Sequence, residues 1–203
     1  MATNLVFELT ELQGFIGADY ARVSGEEQGV QDGIKEHYFP LNADSETAKS
    51  IEGQVVGIAD KIDTICAVFA AGKKPTGSSD PLAVRRAALG IIKTILEHNL
   101  KLDLSSIIDD AIALLPLKAD IKSDVEEFFV QRLIIFLNAD YSKNALEACS
   151  ANNPCKDLCV YVLRVKAIST LNDEELLENA NRVLRILKEE VKTEIKESLF
   201  VEQ

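Results

Sequence analysis

The residues best placed to do chemistry lie in AGKKPTGSSDPLAVRRAALG, residues 71–90. Gly72 and Gly77 bracket four residues, and Ser78 follows, which is close to the spacing of a phosphate-binding loop. Such a loop needs Lys after the second Gly and a strand before the first, because its backbone N–H groups cradle phosphates while the Lys reaches them. Ser78 stands where the Lys is needed, Pro75 removes one N–H, and the preceding residues read as a helix. A nucleotide site is therefore not expected. The start of the following helix still favours an anion through its dipole and free amides, although Asp80 at the cap competes. Arg85 and Arg86 cannot point the same way, since a helix turns about 100° per residue. One is expected to face solvent or RNA, and the other to pair with an acid across a helix interface. With Lys73 and Lys74 they form a candidate basic patch for phosphate contact.

Other constellations carry weaker chemistry. Asp60 and Asp63 in GIADKIDT are three residues apart on one helix face, among Ile58, Ile62 and Ile65. Burial is expected there, and a buried carboxylate must be paired or bound to metal. The segment resembles the last metal-binding element of HD-domain phosphohydrolases. That resemblance implies, as an alternative function, a metal-dependent nucleotide phosphohydrolase. The rest of such a site needs a His and an adjacent His-Asp pair, and the chain has only His37 and His98, neither followed by Asp. A structural role for Asp60, Asp63 and His37 is preferred, with Asp60 in an ion pair between helices. Cys149, Cys155 and Cys159 give a C-x5-C-x3-C spacing, in which only the second interval suits zinc. No metal site is assigned. His37 and His98 each fall near a helix end, where a C-capping role is expected. No catalytic residue is assigned.

The elements that would position these residues read as helices almost throughout, so the fold class is all-α. Apolar spacing predicts helices over 3–22, 26–37, 47–71, 81–98, 104–115, 123–138, 142–151 and 155–168. A last one starts from Asn172 or Asp173 and runs to the C-terminus. Asp80 is expected to cap the fourth helix, with Pro81 at its first position. Ser123 and Glu126 read as a capping box for the sixth. Gly57 inside the third helix costs propensity, so close packing or function is expected to explain it.

Net charge is −11 over 203 residues, which argues against a general nucleic-acid binder. The charge is uneven. Residues 60–101 hold seven basic and four acidic side chains, and both flanks are acidic. Any RNA contact is expected in that middle segment. The N-terminus lacks a basic, apolar leader, and the four cysteines are compatible with reduced thiols, so a cytoplasmic location is expected.

Several segments together carry a longer resemblance: FELTELQGFIGADYA (7–21), IKEHYFP (34–40), GIADKIDTICAVFAAGKKPTGSSDPLAVRRAALGIIKTILEHNLKLDL (57–104) and ENANRVLRILK (178–188). In order and spacing these resemble the beta subunit of bacterial glycyl-tRNA synthetase. The resemblance implies a multi-helical, degenerate HD-like domain over 1–102, a helical continuation over 103–170 and a connecting helix over 171–203 that leads to an anticodon-binding domain. On this expectation the sequence is a middle fragment of that subunit, inactive as a ligase by itself. It implies an alpha-subunit partner, typically in an alpha2–beta2 assembly, and tRNA(Gly) as the RNA. ATP and Mg are used by the alpha subunit, and no cofactor is expected in this chain. Arg85, Arg86, Lys73 and Lys74 are the candidate tRNA-contacting residues. Docking on the alpha subunit without touching RNA is the other role weighed.

Overall fold

A computed structural model describes residues 9–75, 80, 82–116, 119–170, 179 and 182. Among them are eight α-helices and no strand: α1 Phe15–Val23, α2 Gln28–Glu36, α3 Ile51–Ala70, α4 Val84–Glu97, α5 Leu104–Leu114, α6 Lys122–Leu137, α7 Lys143–Cys149 and α8 Leu158–Ser169. The fold is all-α. Two compact units divide the chain, 1–169 and 170–203. The last predicted helix falls in the second unit and lies outside the described residues except Asn179 and Arg182, which are helical.

In the first unit successive helices pack on one another apart from α4 and α5, the latter packing on α3 and α6, and α3 and α4 form the centre. One hydrophobic cluster runs from Ile58 through Ile91, Ile95, Ile108 and Phe129 to Val165. Residues on both sides of position 102 belong to it, Leu104 and Ile108 among those beyond. The α1–α2 pair adds little to this core, with only Ala21 and Gly33 buried.

Several predicted boundaries shift for local reasons. The first predicted helix breaks at Gly14, whose φ of 85° is a left-handed conformation; a Cβ there would also meet the Lys35 carbonyl oxygen at 2.8 Å. In α3, Ile51 and Val55 are exposed; the buried face begins with Gly53, Gln54 and Gly57, and Ile58 is its first large apolar residue. Ser50 caps α3 by accepting from the Gly53 amide at 3.0 Å. Glu36, at the end of α2, holds that cap in place: its Oε2 accepts from the amides of Lys49 and Ser50 and from the Ser50 hydroxyl. The predicted capping box of the sixth helix does not form. That helix begins at Lys122 with no side-chain cap, and the Glu126 carboxylate instead accepts from the Ser105 hydroxyl on α5. The contact across two helices displaces the local one.

Candidate nucleic-acid interface

The cap of α4 differs from its predicted form. Asp80 does accept from backbone amides, those of Val84 at 2.8 Å and Arg85 at 3.0 Å. The helix, however, starts at Val84, after Ala83 in a left-handed conformation (φ 56°). Asp80 therefore reaches forward past Ala83 to the first amides of the helix. Gly77, Ser78 and Pro81 lie outside the described residues. With Asp80 on its first amides, the α4 terminus is already occupied by a carboxylate.

The two arginines separate as the 100° turn requires. Arg86 is exposed, and it makes no ion pair among the described residues. Arg85 is half-buried at the start of α4; burial, and then the like charge of Arg85, lower the Arg132 guanidinium on α6, against the opposing charge of Asp80. Lys73 is exposed on the turn after α3. Lys74 is drawn into an ion pair with Asp124 on α6, and its ammonium lies 5.9 Å from the centre of the Phe69 ring. Both members of that pair are exposed, so it is worth little in stability, but it takes Lys74 out of the pool of uncommitted cations. Asp124, Phe128 and Arg132 follow at intervals of four on one side of α6, about 12 Å from end to end. Phe69, Lys74 and Pro75 face this side across a groove of about 170 Å³.

Arg132 is the residue that sequence reading missed. Within DVEEFFVQRL it stands beside the buried Leu133 and looks like a solvated position. Nothing local signals that α6 crosses the start of α4.

The acidic pair is a correction. Asp60 and Asp63 are exposed, and neither forms an ion pair among the described residues. The side chain that turns inward is Lys61, between them. Its Nζ donates to the carbonyl of His37 at 2.7 Å and to that of Gly57 at 3.3 Å. Burial pushes the Lys61 ammonium down to about 8, against the opposing charge of Asp60. His37 ends α2, with Nδ1 2.8 Å from the Ile34 carbonyl, so that nitrogen carries the proton and donates. The Nε2–H of His98 donates to the Thr47 hydroxyl, since that hydroxyl itself donates to Glu97. Both histidines are engaged at helix ends.

The cysteines do not converge. The Cys155 thiol faces the Glu126 carbonyl, while that of Cys159 faces the carbonyls of Ile95 and Leu100. Among the described residues no three His, Cys, Asp or Glu side chains could share a metal ion. The donor set for an HD-type phosphohydrolase is therefore missing around Asp60 and Asp63, and that alternative is dropped.

The family model for the glycyl-tRNA synthetase beta subunit matches residues 1–151. This chain belongs to that family. It is 38% identical to the glycine–tRNA ligase beta subunit of Geobacter metallireducens, over 98% of this chain and 30% of the relative. Against the corresponding subunit of Actinobacillus pleuropneumoniae serotype 3 it is 38% identical over its whole length and 31% of the relative. Against that of Cronobacter sakazakii it is 38% identical over 92% of this chain and 28% of the relative. The chain thus spans about 30% of the length of the beta subunits it matches. No helix among the described residues is long and apolar enough to cross a membrane.

Proposed function

We infer that this chain is the part of a glycine–tRNA ligase beta subunit that joins subunit assembly to tRNA binding, in an enzyme that attaches glycine to its tRNA at the expense of ATP. The observation that carries this reading is the match of named beta subunits over almost the entire chain. The partners are the alpha subunit and tRNA(Gly), in the cytoplasm. The chemistry with ATP and Mg belongs to the alpha subunit. The residues of this chain would bind and orient RNA, and an HD-like helical topology is part of the reading.

Arg86 and Lys73 are the leading phosphate contacts, because both are exposed and uncommitted among the described residues. Lys74 is secondary, since RNA would have to compete with Asp124 for it. In a reconstituted alpha–beta enzyme, tRNA(Gly) affinity is measured over a range of salt for Lys73→Ala with Arg86→Ala. Each lost phosphate contact should flatten the salt slope by about one, so the double variant should lose about two. A slope equal to that of the parent would remove tRNA binding from this surface and leave assembly as its role.

A further inference from the structure

We propose that a cavity at the start of α8, lined by Lys156 and Arg164, binds a backbone phosphate of the tRNA. The proposal rests on the tRNA reading above and adds a second contact to it, outside residues 60–101. The cavity measures about 290 Å³ and lies between the turn Asn152–Lys156 and one side of α8. Asp157, Val160, Tyr161 and Arg164 recur at helical spacing and form one wall. The frame around it is fixed. Cys155 is fully buried, and the Tyr161 hydroxyl donates to the Leu146 carbonyl at 2.8 Å. Asn153 Oδ1 accepts from the Cys155 amide at 3.0 Å, which leaves its N–H2 group for a ligand. Asp157, the one carboxylate of the lining, already accepts from the Val160 amide at 2.9 Å.

Against that carboxylate stand two cations. Lys156 and Arg164 are exposed, and neither makes an ion pair among the described residues. Lys122 and Lys143, by contrast, are committed to Asp109 and Glu147. The groups open to a ligand at the cavity are thus a guanidinium fork, an ammonium and an amide, a donor set that suits an oxyanion. RNA supplies such anions in a row. The cavity is also separate from the first contact. Arg86 is in the first turn of α4, whereas the Cys159 thiol of α8 faces the Ile95 carbonyl near the last. About 14 Å of helix lies between Arg86 and Ile95, so losses at the two places should add.

The test uses the alpha–beta enzyme with tRNA(Gly). Lys156→Ala with Arg164→Ala should weaken binding by about tenfold at low salt and flatten the salt slope by about two. Should that variant fail to fold, Lys156→Gln and Arg164→Gln made singly decide, each flattening the slope by about one, and a parental slope in both overturns the proposal. Lys143→Ala removes an exposed cation that is already paired, and it should leave affinity and slope as in the parent. A loss there as large as in the double variant would mean bulk charge rather than this cavity, and would sink the proposal. A parental slope in Lys156→Ala with Arg164→Ala, while Lys73→Ala with Arg86→Ala still flattens it, refutes the cavity and spares the tRNA reading. Parental behaviour in every variant removes both. Loosened alpha–beta association with an unchanged slope would mean that the cavity takes a protein carboxylate, which also refutes the proposal.

Discussion

Gly57→Ala exposes what the inward lysine does. Gly57 lies in the middle of α3, where alanine gains about 1 kcal/mol in helix propensity. Propensity alone predicts stabilisation. A Cβ at this position, however, would meet the His37 carbonyl oxygen at 2.9 Å and its Cα at 3.4 Å. Both are backbone atoms, so no side chain can swing aside, and the end of α2 must move. Overpacking of this kind costs about 1–3 kcal/mol. The same carbonyl accepts from Lys61 at 2.7 Å, and a hydrogen bond to a charged donor contributes about 1.5–3 kcal/mol. A shift that weakens it adds part of that loss. The net expectation is destabilisation by about 2 kcal/mol, or a Tm lower by about 4–8 °C for a chain of this size. Thermal unfolding followed by far-UV circular dichroism reads it directly. The double variant with Lys61→Met should lose less than the sum of the single losses, because both act on one contact. A Tm at or above the parent in Gly57→Ala would refute the reasoning.

Two further outcomes follow from the same region. The Lys61 ammonium falls from 10.5 to about 8 on folding; between those values the unfolded chain holds a proton that the folded chain has released, so stability should rise with pH across that window. The rise is at most about 3 kcal/mol, because the His37 carbonyl favours the charged form and works against burial, and denaturant titrations of Lys61→Met should show it gone. Glu36→Gln should cost about 1–2 kcal/mol. Burial raises the Glu36 carboxyl, but the hydrogen bonds from Ser50 and Lys49 outweigh it and hold the pKa below the usual 4.5. Its contribution is therefore present above 4.5 and lost as pH falls below that, and a parent and variant that lose stability in parallel under acid would count against it.

The helices were legible because their buried faces repeat at helical spacing: Ile58, Ile62, Ile65 and Phe69 in α3, and Ala88, Ile91, Ile92 and Ile95 in α4. Asp103 accepts from the Ser106 amide, a local cap readable from residue types alone. What was not legible depended on which helices meet. The spacing of Asp60 and Asp63 gives one face but does not say whether water lies on it. Nothing in the sequence around Lys61 signals that α2 brings the His37 carbonyl to it. In the candidate interface, a run of four cations reads as one patch, yet Asp124, from α6, removes Lys74 from it.

The inversion at GIADKIDT bears on function. Metal-assisted hydrolysis needs carboxylates and histidines converging on one point, where their charges hold a cation. At this point of α3 the carboxylates diverge into solvent, and a single ammonium takes the inner position against a backbone carbonyl. A cation already built into the helix repels a metal ion and leaves no open ligand. The contact joins the end of α2 to the middle of α3, the helix that ends just before Lys73 and Lys74. The consequence at this place is structural: α3 is braced by an inward ammonium, with no metal centre there among the described residues, and it ends just before two lysines.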